Sequence, residues 1–327
     1  MTAYLNETGL PLSVAAYLAA DFYDHVPNTL SATALLKPTR QLILGKRVPK
    51  ELQVNDLQSM VKSRIGTSIH DGVEKVWLGG HYEDAMRSLG YDESTIERIV
   101  VNPAPSAVQP GQIPVYLEQR MFREHMGHRV SGKFDFIGDG HLQDVKTTSV
   151  FSYIYDTKTE DYQLQGSIYR WLDQGQRITE DYMSILFIFT DWMAGKAKMD
   201  KNYPPNQAMQ KKIPLLSLDD TEDYISNKLS DLAQFKDTDE PDLPRCSDKE
   251  LWRKPATYKY YKDGNPNAAR STKNFDNPGD AYARQQKDGG GGIVVEKPGE
   301  VIACRYCPAF PICTQKDEYL AEGSLTL

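Results

Sequence analysis

Between residues 56 and 78, apolar side chains at Leu57, Val61, Ile65, Ile69, Val73 and the Val76–Trp77 pair recur every three or four positions. That spacing places them on one face of a helix, interrupted at Gly66. Further along, the period changes to two. Residues 113–122, 129–138 and 142–148 alternate apolar and polar side chains, as strands with one buried face do. The joints at 124–128 and 138–141 are rich in Gly and His and predict hairpin turns. A helix is predicted over 161–175, followed by a buried strand over 184–190 and a further strand over 212–216. Tyr224, Ile225, Leu229, Leu232 and Phe235 then mark an amphipathic helix over 219–235.

The flanks are less regular. An Ala-rich helix is expected over 13–23, and residues 31–38 read as a capped helical turn stopped by Pro38. Pro103, Pro105, Pro110 and Gly111 make 102–111 a loop. Residues 250–295, rich in Lys, Tyr, Asn and Gly, read as a small inserted module with a flexible loop at Gly289–Gly292. No internal repeat of a solenoid kind is visible. The whole predicts an α/β protein with a mixed central sheet flanked by helices and a small C-terminal appendage.

Composition narrows the class. Of 327 residues, 40% are hydrophobic and 25% charged, the balance of an ordinary globular protein. No apolar run approaches the roughly 18–20 residues that cross a bilayer. The start, from Met1 to Glu7, lacks the basic opening of a secretory signal, so the expected address is cytoplasmic, with no membrane partner. The net charge of −7 argues against coating nucleic acid by bulk charge. It is, however, local: residues 216–242 hold nine Asp/Glu and two Lys/Arg, and the remainder is neutral. Residues 241–275, by contrast, hold eight Lys/Arg and four Asp/Glu. Lys254, Lys259 and Lys262 lie there among Tyr258 and Tyr260, an interleaving that suits either single-stranded nucleic acid or a small solvated β-hairpin.

Two groups of residues carry candidate chemistry. Asp144 and Lys146 stand two apart on a predicted strand and so share a face, and a turn at 138–141 brings Asp135 alongside. Two carboxylates and an amine on one sheet surface suit a hard divalent cation, with the amine steadying a water or a developing phosphate charge. The second group is cysteine: Cys304, Cys307 and Cys313 fall as C-x2-C-x5-C, and Cys246 stands apart. Without a secretory signal, this cluster reads as metal-binding rather than as a disulfide framework.

The segment Gly132-Lys-Phe-Asp135-Phe-Ile followed by Gln143-Asp144-Val-Lys146-Thr-Thr resembles the PD-(D/E)XK (restriction-endonuclease-like) nuclease core. More narrowly it is similar to the RecB-like branch that includes CRISPR-associated exonucleases. Upstream, Gly66-Thr-Ser-Ile-His70 resembles the branch's helical G-x-x-x-H, and Val115-Tyr-Leu-Glu118 its acidic strand. Downstream, Gln165-Gly-Ser-Ile-Tyr169 resembles its Q-x-x-x-Y helix. The resemblance covers about residues 30–192 and implies that His70, Asp135, Asp144 and the Val145 carbonyl bind Mg²⁺ or Mn²⁺. Lys146, Glu118, Gln165 and Tyr169 then complete the catalytic set. His70 in an apolar helical setting also fits a structural role, and Gln165 and Tyr169, one turn apart, also fit an interhelical hydrogen-bond pair.

C-x2-C-x5-C matches the last three ligands of the branch's iron–sulfur members, in which four thiolates hold a [4Fe-4S] cluster that fastens the chain end to the core. In those relatives the first cysteine precedes the core. Here residues 31–40 contain none, which leaves Cys246 as the fourth candidate; four thiolates equally hold Zn²⁺. The expected domains are 1–240 (nuclease), 241–303 (basic and aromatic module) and 304–327 (cysteine cluster). The expected activity is metal-dependent DNA hydrolysis, as an exonuclease on single-stranded or end-containing DNA, with phage replication or recombination as the setting. A structure-specific endonuclease and a non-catalytic DNA-binding or assembly protein are the alternatives. With no P-loop in the sequence, a helicase or single-strand-binding or annealing partner acts in trans.

Overall fold

The computed structural model describes residues 3–20 and 26–326 as two compact units. The first comprises residues 1–36 and 54–230, the second 37–53 and 231–327. The units divide at 36/37, 53/54 and 230/231. The basic module and the cysteine segment belong to one unit, which also takes in the helix Thr39–Arg47 from far upstream.

The first unit is mixed α/β. Its six-stranded sheet runs in the order Ala208–Pro214, Tyr182–Phe189, His141–Thr148, Phe136–Gly138, Ile113–Leu117, Ile99–Val101. The neighbouring strands His141–Thr148 and Tyr182–Phe189 are parallel, with Asp144 opposite Ile185 and Lys146 opposite Phe187. Parallel neighbours require a crossover, and the helix Thr159–Asp173 lies in it. That helix buries Ile168, Tyr169, Trp171 and Leu172 together, so its inward face is the centre of the core. Two glycines permit the close approach. A Cβ at Gly166 would overlap the Met183 sulfur, and one at Gly132 would sit 2.7 Å from carbons of both Tyr169 and Leu172.

A second sheet of the same unit pairs Thr29–Ser31, His128–Lys133 and Arg120–His125. Here the structure departs from the alternation. Residues 113–122 and 129–138 read as one strand each, but each breaks in the middle. Arg120–His125 and His128–Lys133 form a hairpin around Met126–Gly127, whose φ values of +49° and +74° are those of a two-residue primed turn. Ile113–Leu117 and Phe136–Gly138 pair instead in the large sheet. The breaks fall at Glu118 and at Phe134–Asp135, where the Glu118 N–H donates to the Asp135 carbonyl at 3.2 Å. Periodicity does not show such a break, because polar and apolar positions keep alternating through it. The 138–141 turn is present as Asp139–Gly140, φ +48° and +81°.

The other elements lie near their expected places. The helix Val61–Leu78 follows a 3-10 turn, Leu57–Met60, capped by the Asp56 carboxylate at 2.8 Å from the Gln58 N–H. Its apolar stripe is only partly covered: Ile65 and Val76 are exposed, and Arg64 is the buried residue. The Ala-rich helix spans Leu12–Ala19; residues 21–23 of the expected element lie outside the described residues. Ser31 caps Ala32–Leu35 by accepting from the Ala34 N–H at 3.1 Å. Among the described residues no helix is long and apolar enough to cross a membrane.

In the second unit, Lys273–Phe275, Thr257–Tyr261 and Ile293–Lys297 form an antiparallel sheet packed by the helix Pro278–Lys287. Leu251, Val301, Tyr319 and Leu325 make a small separate core, with Cys246 and Cys304 packed against it.

Trp171 tests the central packing. It is 1% exposed, its Nε1–H donates to Glu222 Oε2 at 2.8 Å, and the Arg123 guanidinium lies 4.0 Å from the ring centroid. Trp171→Ala is expected to cost about 3–5 kcal/mol in urea denaturation; a loss under about 1 kcal/mol would show that this helix is not the core.

Candidate metal centre

The two strand breaks decide where the carboxylates go. Glu118 holds a left-handed backbone, φ +52°, a conformation that costs a non-glycine residue about 1 kcal/mol or more. Such outliers concentrate where function requires them. Asp135 follows the fully buried Phe134, at the point where its strand leaves one sheet for the other. The His70 Nδ1 lies 3.3 Å from Asp135 Oδ2 and 3.9 Å from Glu118 Oε1. The ligand atoms of His70, Glu118 and Asp135 all fall within 4.8 Å of one another. His70, Val73, Glu74, Leu117, Glu118, Asp135, Phe136 and Val145 line a cavity of about 20 Å³ there, enough for an ion or a water and not for an organic ligand.

Asp144 adjoins this trio from the motif strand. It is 1% exposed, and its Oδ2 lies 2.6 Å from the Lys146 Nζ. Apart from that ion pair, neither carboxylate oxygen accepts a hydrogen bond. A buried carboxylate so poorly satisfied fits a cation ligand. The Val145 N–H donates to Asp135 Oδ2 at 3.1 Å and locks the two motif segments together.

The electrostatics agree. Burial pushes the Asp135 carboxyl well above the usual carboxylate range, the neighbouring Asp144 charge pushes it further, and Lys146 opposes both. Burial lowers the Lys146 amine, but the Asp144 and Asp135 carboxylates outweigh it and raise the amine above its ordinary value. Two carboxylates and one imidazole therefore crowd a half-buried site, and the buried Asp144, outside that converging trio, adds its charge to Asp135. A divalent cation with oxygen and imidazole ligands would relieve that crowding.

The other expected site residues distribute as follows. Gln165 and Tyr169 are buried and bonded to each other, Nε2–H to the phenol oxygen at 2.8 Å, with the Tyr169 ring against Gly132. Neither lines the cavity. Three residues that the motifs did not single out do belong to the neighbourhood. Lys133 pairs with Glu118 Oε2 at 2.5 Å, Glu74 lies one helical turn beyond His70, and the Tyr162 ring centroid is 5.8 Å from the Lys146 Nζ. The spacing of His70 and Glu74 was a readable signal, since residues four apart share a helix face.

In the second unit, Cys246, Cys304, Cys307 and Cys313 line one cavity of about 40 Å³. Burial raises the Cys246 thiol to about 12 and that of Cys304 to about 11, and lifts Cys307 as well. Such thiols stay protonated on their own, which does not fit a reactive nucleophile. The upstream segment supplies Arg40 and no cysteine. This arginine is 4% exposed, donates from Nε to Cys313 Sγ at 3.3 Å and from Nη1 to the Leu243 carbonyl at 3.1 Å, and pairs with Glu240. Glu240 in turn accepts the Thr314 N–H at 2.9 Å, next to Cys313.

The basic module corrects one expectation. Tyr260 is fully buried in the small sheet and presents no ring for a base to stack on. Tyr258 and Lys259 are half-buried, Lys254 pairs with Glu300 at 2.6 Å, and Lys262 is exposed.

No protein-family model matches the chain, and no curated protein matches it. Among solved structures, the crystal structure of SSO0001 is 14% identical, covering 66% of this chain and 81% of that one at a TM-score of 0.38. The crystal structure of a phage-related exonuclease from Haemophilus somnus 129PT is 15% identical, covering 64% of this chain and 93% of that one at a TM-score of 0.28. Likenesses of that size carry no argument about chemistry, which rests on the residues above.

The raised Asp135 pKa has a thermodynamic signature. In EDTA the folded protein retains a proton that the unfolded chain has released above about pH 4. Its stability is therefore expected to fall as pH rises from there through the raised folded value. Asp135→Asn cannot ionise, so its advantage in thermal midpoint over the parent should grow with pH in calorimetric scans. A constant difference across pH would show that Asp135 is not the crowded group.

Proposed function

We propose that the chain is a divalent-metal-dependent deoxyribonuclease with a PD-(D/E)XK core of the RecB-like kind. The observation that carries this reading is the meeting of the His70, Glu118 and Asp135 ligand atoms beside a buried, poorly satisfied Asp144 and its lysine. His70, Asp135, Asp144 and the Val145 carbonyl would hold Mg²⁺ or Mn²⁺. Such an ion, when bound, supplies Lewis acidity and lowers the pKa of a coordinated water.

The chain's own residues have separable tasks. Lys146, held charged by its two carboxylate neighbours, places a cation where charge develops on a phosphate, or steadies the attacking water. Glu118, anchored by Lys133, reinforces the negative field that draws in the ion. Gln165 and Tyr169 brace the Gly132 segment from beneath, which supports a positioning role rather than a substrate contact. The substrate favoured by the resemblance is single-stranded or end-containing DNA, cut exonucleolytically in replication or recombination. A partner helicase or single-strand-binding protein would act in trans.

The four cysteines would hold a [4Fe-4S] cluster or Zn²⁺ as a clasp within the second unit, since phosphodiester hydrolysis needs no electron transfer. Their shared cavity supports a common ligand.

Incubation with end-labelled linear, circular and single-stranded DNA in Mg²⁺, Mn²⁺ or EDTA tests the activity. Loss of linear but not circular DNA, only with metal, is the expected result. Cutting of circles would establish an endonuclease, and binding without cleavage an assembly protein. Lys146→Ala is expected to slow cleavage by about 10²–10³-fold; full activity in that variant would sink the site assignment. For the cysteines, anaerobic purification should yield brown protein whose visible absorption is lost in Cys307→Ala. Colourless protein carrying stoichiometric zinc would exclude the iron–sulfur form.

A further inference from the structure

We propose that the helix Val150–Ile154 and the adjoining segment 193–201 form a platform for single-stranded DNA leaving the metal centre, an inference that rests on the nuclease reading above. Five residues after Lys146, Phe151 is 61% exposed; Tyr155, one turn further, is 65% exposed. Their ring centroids are 4.4 Å apart at an interplanar angle of 39°. The inward face of the same helix is already occupied: Val150 is buried, and Tyr153 packs edge-on against Phe187 and Phe189, each at 5.2 Å. The outward face therefore carries rings where a solvated helix would carry polar groups. Single exposed apolar residues are ordinary, whereas a paired aromatic surface marks a binding site.

Two hydrogen bonds tie this helix to the segment after the neighbouring strand. The Val150 N–H donates to Asp191 Oδ1 at 2.7 Å, and the Thr190 N–H donates to the Thr148 carbonyl at 3.0 Å. Both segments thus emerge at the carboxyl ends of the two adjacent parallel strands His141–Thr148 and Tyr182–Phe189, the edge at which open α/β sheets receive ligands. Residues 193–201 bring Lys196, Lys198 and Lys201, all exposed, against the single carboxylate Asp200. Met193 and Met199 are also exposed, at 53% and 81%.

Exposed aromatic faces and a lysine-rich segment leaving the ends of neighbouring strands match one ligand chemistry: a phosphate backbone whose bases are free to stack on the rings. A duplex hides its base faces and leaves the rings without a partner. The placement also assigns strand binding to the first unit, with the motif strand, in place of the module whose Tyr260 is buried.

Fluorescence anisotropy with a short labelled oligodeoxythymidylate in EDTA reads the platform without cleavage. Phe151→Ala/Tyr155→Ala is expected to weaken binding at least about 10-fold, with Phe151→Trp in the Tyr155 parent retaining it. Lys196→Gln/Lys198→Gln should reduce the slope of log affinity against log salt by about 1.4. All four side chains are exposed, so thermal midpoints should match the parent. Unchanged affinity in the aromatic variant, no binding by the parent, or an equal loss for duplex DNA would each overturn the platform. Hydrolysis of bis(p-nitrophenyl) phosphate by the parent with Mn²⁺ reads the metal centre separately, because that substrate has no base. Its absence would remove the nuclease reading and leave the binding result standing.

Discussion

A single backbone hydrogen bond, from the Glu118 N–H to the Asp135 carbonyl, marks the seam on which the rest of the first unit depends. At that level two neighbouring strands leave one sheet and enter another. The crossing ends their ladder, turns Glu118 into a left-handed conformation and frees two carboxylates from the alternating in-and-out pattern of a regular strand. His70 reaches the same point from its helix. The Val145 N–H then secures Asp135 to the strand that carries Asp144 and Lys146. Without the seam, Asp135 would be one more strand residue facing a neighbour.

The site so formed is electrostatically expensive. Burial and the proximity of Asp144 oppose ionisation of Asp135, while Lys146 offsets only part of the repulsion. A fold that evolved for stability alone would place an amide or an apolar residue there. What is kept instead is a cavity of ion size where the ligand atoms of His70, Glu118 and Asp135 meet among apolar side chains. The surrounding packing is close: the crossover helix meets the strand of Gly132 through Tyr169 and Leu172, and Met183 and Leu215 at Gly166. The cysteine cavity follows the same logic with softer ligands. Burial raises the thiols of Cys246, Cys304 and Cys307, and Arg40 donates to Cys313 from a helix far upstream in sequence.

Much of this was legible from residue order. The helix around His70, the period-two segments, the Asp-Gly turn that sets Asp144 opposite Asp135, and the buried strand after them follow from local preferences that act over a few residues. The breaks at Glu118 and Asp135 were not legible, because a strand that changes sheets keeps its alternation. Tyr260 misled for a related reason. Interleaved Lys and Tyr mark a strand with one wet and one dry face as readily as a nucleic-acid surface, and only the partner strands and helix decide which face is covered.

The sequence by itself determined the chemical inventory: which carboxylates, amine, imidazole and thiols exist, and on which local elements they stand. It did so because helix and strand periods are set by the backbone and by near neighbours. Tertiary structure alone decided convergence. It placed Glu118 with His70 and Asp135, brought Arg40 to Cys313 and left Phe151 and Tyr155 uncovered. Each of these depends on which distant surfaces meet, and a contact between residues tens or hundreds of positions apart leaves no periodic trace in either segment.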